Sequence, residues 1–564
     1  MRRITRRNLL IGSAAAAAAG YVALEGCQNA GHSIPPAPPP GGYALEAKYA
    51  DTVYNGMTLR TRTYNGAIPG PTLYASPGQH LRITLKNSLP PNPPAPVPKT
   101  AMVHPVDVHD MLAMEDPLHN NRAPAVQSTS IDPMNNPHEF NTTNLHVHGL
   151  QVVPHLFDPI GTSDPNTMMI AIESGESFTY DFQVPEDQPP GLYWYHPHHH
   201  GSTDVQVSGG MAGLLVVPGA IDAVPEIAQA RDVHIAVQTL QVNQSTQSPN
   251  VYDLEYVAYQ TPQNGGYNPR STYMFVISNG QLVNLMTFGS GTSFTSVPYP
   301  APQMTANPGE VLRLRILNGT NALLLPLQLQ GFEVYVIAHD GVNLLAPQQV
   351  DQSGTGAIEL PTGGRVELLV RAPSTPGTYT LRALTIPSMG GKQHAWPEMD
   401  IMQFTVSGSP VSMKIPTTLP KPTREYPLIA DSEIVARRNV VFNSTPSTSI
   451  LPGFALTING SVYDETSIMF PLTVGTAEEW TISTPMPEGH PFHLHTNSFE
   501  LHSVTDPSGT TTYSPPVICD TIWVPANGKA VIRVRFKQWR GKDVFHCHKL
   551  SHEDQGMMAN TLLQ

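Results

Sequence analysis

Cysteine is scarce. Cys27, Cys519 and Cys547 are the only three in 564 residues, which excludes a disulfide scaffold. Charge is scarce as well, at 13% of residues with a formal net charge of −13. That balance argues against nucleic acid or an anionic membrane surface as the main partner, since both select clustered Lys and Arg. Aromatic residues make up only 7%. The N-terminal apolar stretch around Leu9 to Ala19 is too short for a membrane span. What is abundant is turn-forming residues, 44 glycines and 57 prolines, the mark of many turns between short strands. With 40% apolar residues the chain can still bury a sizeable core, and its length predicts three or four domains. It also has 23 histidines, unevenly placed.

The first residues form an address. Arg2, Arg3, Arg6 and Arg7 precede Leu9-Leu10-Ile11 and the run Ala14 to Ala19, a signal-peptide layout. The Arg6-Arg7 pair favours the twin-arginine pathway, so the expected location is periplasmic or extracellular. Leu24-Glu25-Gly26-Cys27 resembles a lipoprotein attachment box apart from Glu25, and membrane association is expected only if Cys27 is lipidated. A proline-rich spacer from Pro35 to Pro40 follows, and the folded body is expected to begin near Tyr43.

Three stretches repeat one plan. Gly191 to His198, Gly377 to Leu384 and Gly541 to His548 each place the fifth and seventh residues after the glycine at one parity. The first and third carry histidine at both positions, whereas the middle one carries Arg382 and Leu384. Upstream, Asn144-Leu-His146-Val-His148 compares with Asn321-Ala-Leu323-Leu-Leu325 and with Pro491-Phe-His493-Leu-His495. Further upstream lie Asn65-Gly66, Asn279-Gly280 and Asn459-Gly460. Stretches such as Val311 to Ile316 and Val531 to Phe536 alternate with the period of two expected of half-buried sheet. The chain therefore reads as all-β, with three similar β-sandwich domains at 43–219, 220–408 and 409–564 behind a leader and linker at 1–42.

A strand turns residues i and i+2 to the same face. His146/His148, His196/His198, His493/His495 and His546/His548 are four such pairs, two in the first domain and two in the third. They predict that the outer domains face each other around one shared metal cluster. Cys547 lies between His546 and His548, so its sulfur points to the opposite face and one tripeptide can serve two metal sites. On the sulfur side His490, His552 and Met557 complete the His₂Cys set with a weak axial thioether that holds blue copper.

These residues resemble the four signature motifs of three-domain multicopper oxidases: His146-Val-His148-Gly149, Tyr195-His196-Pro-His198, His490-Pro-Phe-His493-Leu-His495, and His546-Cys547-His548 followed by His552 and Met557. Asn65 to Thr72 and Asp520 to Gly528 resemble the same family. The resemblance implies three cupredoxin-like Greek-key sandwiches and four copper ions. Type 1 copper takes His490, Cys547 and His552 with Met557 axial. Type 2 takes His146 and His493. The type 3 pair takes His148, His196, His198, His495, His546 and His548. Parity alone would also allow His200. The implied reaction takes electrons from a donor at type 1 copper and passes them through Cys547, His546 and His548 to reduce O2 to water.

Proton delivery needs acids near the cluster. Glu553, directly after His552, resembles the family's relay carboxylate. For the second relay acid, Asp158 fits the spacing after the first motif, and Asp164 fits the local pattern Gly161-Thr-Ser-Asp164-Pro. Cys519 reads as a buried structural thiol.

The expected donor is a phenol or aromatic amine, as in a laccase. The alternative is a reduced metal ion, Cu(I) above all, for which Met102, His104, His109, Met111, Met114, His119 and Met134 offer soft ligands, as does the looser group Met389, His394, Met399 and Met402. A copper-free structural envelope protein would lack ligands, and no ligand position is missing. Three domains with intramolecular copper sites make a monomer sufficient.

Overall fold

The computed structural model describes residues 39, 41–92, 132, 134–244, 251–253, 273–288, 294–354, 356–386, 396–447 and 454–564. The leader with Cys27, the insertion residues Met102 to His119, and Met389 and His394 lie outside these residues.

The fold is all-β, with short helices such as Thr203–Val207 and Leu550–Asp554 among the described residues. Alternation is visible where one sheet face meets water: every second residue of His80–Asn87 is buried, as are Ala530, Ile532 and Val534 within Gly528–Arg535. Three apolar cores follow along the chain. The first spans Leu45 to Val217, the second Val233 to Val406 and the third Val440 to Leu563. A thirteen-stranded sheet runs through the first two, joined where Val251–Asp253 pairs with both Arg231–Gln244 and Met57–Tyr64.

The Asn-Gly repeat holds at atomic detail. Asn65, Asn279 and Asn459 all take positive φ, between 47° and 55°, as a tight hairpin turn requires. Each side-chain Oδ1 accepts a backbone N–H from a neighbouring strand, that of Glu46, Ala236 and Val441 respectively. The three turns are built alike.

The middle copy departs from its pattern in one respect. Alternation in Val311 to Ile316 predicts a solvent face for Arg313 and Arg315, yet they are 2% and 1% exposed. Glu367 and Asp222 pair with both, and Asp232 with Arg315. That face is covered by the first third of the chain, where the Leu192 N–H donates to Glu367 at 2.8 Å. Buried guanidinium groups are stable only when paired in this way.

Two small sheets carry the histidines. A four-stranded sheet ends on His146–His148 against Gly191–His196, and a five-stranded sheet holds His490–Leu494 between Gly541–Cys547 and Thr521–Val524. The Asp554 carboxylate ties the last third of the chain to the first by accepting N–H groups from Gly201 (2.7 Å), Thr203 (3.3 Å) and Asp204 (2.8 Å) at the start of the short helix Thr203–Val207.

Candidate metal centre

Strand pairing sets the imidazoles opposite one another. His146 lies across from His196 in one sheet, and His493 across from His546 in the other. All eight histidines of the four pairs are at most 3% exposed. They converge: His198, His495 and His546 form one group able to share an ion, as do His146, His493 and His495, and His146, His148 and His196. The His548 ring joins them 5.1 Å from His148 and 5.5 Å from His196.

The outward nitrogens decide what the inward ones can do. His493 Nδ1 lies 2.9 Å from the Asp520 carbonyl, His196 Nδ1 2.7 Å from the Pro197 carbonyl and His546 Nδ1 3.1 Å from the Cys547 carbonyl. Each therefore donates through Nδ1 and keeps a lone pair on Nε2. His148 is reversed, with Nε2 3.1 Å from Asp520 Oδ1, which leaves the lone pair on Nδ1. His146 Nε2, His148 Nδ1, His196 Nε2 and His493 Nε2 are buried without a hydrogen-bond partner among the described residues, and so are both nitrogens of His548. His198 Nε2 and His495 Nε2 lie 3.1 and 3.2 Å from His546 Nε2. Three nitrogens bound at about 2 Å to one ion stand roughly 3.3 Å apart, so this cage has the spacing of a metal site. Burial, reinforced by neighbouring rings, pushes His146, His148 and His495 well below the usual imidazole range. These three imidazoles are therefore neutral at pH 7, the form that binds metal.

On the opposite face of the Gly541–Cys547 strand, Cys547 Sγ lies 3.4 Å from His490 Nδ1 and 3.9 Å from His552 Nδ1. Met557 is fully buried in the same core cluster as Cys547, and its carbonyl accepts the Cys547 N–H at 3.0 Å. A thiol, two imidazoles and a nearby thioether form the donor set that selects copper.

Glu553 is fully buried, with Oε2 3.0 Å from His546 Nδ1 and Oε1 3.4 Å from His198 Nδ1. Asp158 and Asp164, by contrast, are both exposed. The loop after His148 turns them outward, so neither reaches the buried cluster. The polar group that this loop delivers is His155, whose Nε2 is 3.2 Å from His146 Nδ1. His199 and His200 are buried but belong to none of the metal-competent groups. Cys519 sits in the third core, where burial pushes its thiol up.

Several functional groups were not legible as motifs. Arg365, from the middle third, is fully buried and grips Asp520 with two hydrogen bonds of 2.8 and 2.6 Å. Burial opposes ionisation of Asp520, but this guanidinium holds its carboxyl well below the usual range. Asp340 accepts the N–H groups of Asp520 and Thr521, each at 3.0 Å, and burial with the Asp520 charge pushes it up to about 7. Asp543 Oδ1 lies 3.4 Å from His495 Nδ1, and burial raises its carboxyl to about 7. Glu488 is ion-paired to Lys549 and lies beside both imidazoles of the Cys547 group, with Oε1 4.0 Å from His490 Nε2 and 3.8 Å from His552 Nε2. Close approach of the middle third needs glycine at two places. A Cβ on Gly149 (φ +83°) would sit 2.2 Å from Arg365 Nη2, and one on Gly363 (φ +84°) 2.9 Å from the His548 ring.

Comparison with known proteins agrees with this geometry. Three family models, each described as multicopper oxidase, match residues 122–220, 250–401 and 435–563. A multicopper oxidase of Staphylococcus haemolyticus is 24% identical over 530 residues, covering 92% of this chain and 87% of that protein. A laccase of Bacillus subtilis is 24% identical over 519 residues, covering 88% of each. In the solved structures, a multicopper oxidase from Campylobacter jejuni described as a metallo-oxidase superposes with a TM-score of 0.63 at 22% identity, over 92% of this chain and 91% of that one. With its cupredoxin-like sandwiches and its histidine cage, the chain belongs to the multicopper oxidase family, copper enzymes that oxidise a reducing substrate at the expense of O2.

Proposed function

We propose that the chain holds four copper ions and acts as a laccase-like oxidase of phenols or aromatic amines. His490, Cys547, His552 and Met557 would hold type 1 copper, His146 and His493 type 2, and His148, His196, His198, His495, His546 and His548 the type 3 pair. The observation that carries this reading is the convergence of buried imidazole nitrogens: those of His146 (Nε2), His148 (Nδ1), His196 (Nε2), His493 (Nε2) and His548 have no hydrogen-bond partner among the described residues, and those of His198, His495 and His546 face one another at 3.1 and 3.2 Å. When bound, the coppers supply one-electron acceptance from the donor and four-electron reduction of O2 to water. The chain's residues do the rest. Cys547 links the two sites covalently through its neighbours His546 and His548, and Glu553 stands ready to hold a proton beside His198 and His546.

Replacing Cys547 with serine is expected to remove one copper equivalent and the blue absorption while leaving the other three coppers in place. Metal analysis with a visible spectrum checks this.

For the donor, two of the soft side chains that would suit Cu(I), Met399 and Met402, are spent on the middle core, and Met134 packs against another apolar cluster. That supports an organic donor. The metallo-oxidase reading is favoured by Glu488, whose Oε2 pairs with Lys549 while Oε1, with no hydrogen bond among the described residues, lies beside His490 and His552. Oxygen uptake by copper-loaded protein, run in parallel with a simple phenol and a Cu(I) complex, separates the two. Faster turnover with phenol supports the laccase, and much faster turnover with Cu(I) supports the metallo-oxidase. No uptake with either would overturn both.

We further propose that residues 1–42 direct export by a twin-arginine pathway to the periplasm or beyond, with a lipid anchor only if Cys27 is modified, and that the protein works as a monomer.

A further inference from the structure

We propose that His155 is a positioning residue that fixes the tautomer of His146 and thereby aims the His146 Nε2 lone pair into the type 2 copper site. The inference rests on the assignment of His146 to that copper.

Two backbone groups fix the state of His155. Its Nδ1 lies 3.1 Å from the Val153 carbonyl, which can only accept, so Nδ1 carries the proton. Its Nε2 lies 3.2 Å from the Val147 N–H, which can only donate, so Nε2 carries the lone pair. Both constraints define the same neutral tautomer. His146 Nδ1 lies 3.2 Å from that same lone pair and must therefore be the protonated nitrogen of its ring. Its lone pair is left on Nε2, the buried atom for which the protein offers no partner. The setting is dry, since His155 is 3% exposed with the Phe182 ring 5.0 Å away and His146 is 1% exposed.

Metal-bound histidines usually pass their outer N–H to a carboxylate, a carbonyl or water. Here an uncharged imidazole takes that part, in the loop where the sequence suggested an aspartate. Asp520 serves His148 and its carbonyl serves His493, whereas His146 Nδ1 meets His155.

The test compares wild type, His155→Phe and His155→Gln by chelator titration. The type 2 electron paramagnetic resonance signal is followed, with type 1 absorption as an internal reference. Phenylalanine keeps the ring but offers no acceptor, and the type 2 signal should disappear at about 10–100-fold lower chelator strength. Glutamine restores an acceptor near the position of Nε2 and should recover most of that loss. Retention of type 2 copper by His155→Phe at wild-type affinity, or equal loss in both variants, would overturn the inference. If His155→Phe loses type 1 absorption as well, neutron diffraction from the wild-type holoenzyme decides. Deuterium on Nδ1 of both His146 and His155 supports the inference, and deuterium on Nε2 of His155 overturns it. A wild-type protein with no type 2 signal would overturn the copper assignment itself, a separate failure.

Discussion

Replacing Glu553 with glutamine should lower the rate of oxygen consumption by about 10²–10⁴-fold, the usual contribution of a positioned general acid or base. Glu553 is fully buried, and neither carboxylate oxygen has a well-formed hydrogen bond, although two imidazoles lie 3.0 and 3.4 Å away. Such a group can take up and release a proton, whereas the isosteric amide has none to exchange at neutral pH. Copper content should be unaffected, because His546 Nδ1 retains the Cys547 carbonyl as acceptor. Steady-state oxygen uptake across pH, together with metal analysis, checks both parts. Unchanged turnover at full copper loading would exclude Glu553 from proton delivery.

The second large effect is on stability. Arg365→Met should destabilise the protein by about 3–5 kcal/mol, the penalty for breaking a buried pair and stranding a charge. Arg365 is fully buried and holds Asp520 through two hydrogen bonds, while also donating to the carbonyls of Gly363, Asp340 and Leu192. Methionine fills much of the volume but leaves the Asp520 carboxylate without its counter-charge. Adding Asp520→Asn should recover part of the loss, because the stranded charge then disappears. Denaturant midpoints of the parent, the single variants and the double variant measure the coupling. Strictly additive losses would mean that the two side chains act independently.

The clustered histidines were legible because strand geometry writes them into local spacing. Pairs at i and i+2 share a face, so His546-Cys547-His548 announces two sites, and the same parity reads His146/His148 and His493/His495. The Asn-Gly turns were legible for a similar reason, since left-handed backbone selects those residues. Residues that support the ligands have no such signature. Arg365 and Asp520 meet across 155 positions of sequence, and their pairing is a product of how the sandwiches dock. Arg313 and Arg315 read as surface residues because their alternation is that of a half-exposed strand, but docking of the first third buries them. Asp158 and Asp164 misled for the opposite reason. Spacing counted along a loop does not say which side chain faces inward, and the loop presents His155. The proline before it and its place soon after His146-Val-His148 were the available hints.

A cage shared between the first and last thirds of the chain bears on its synthesis. His148 stacks on His493 with ring centroids 3.7 Å apart, and His148 and His548, at 5.1 Å, come from positions some 400 residues apart. A ribosome adds about 5–20 residues per second, so the first half of the cage waits roughly 20–80 s for the second. During that interval the early histidines are exposed to any ion present, without the partners that impose the final spacing. Correct metallation is therefore an event of the finished chain, and stalled or truncated products would carry orphan histidine pairs that bind metal without the complete cage.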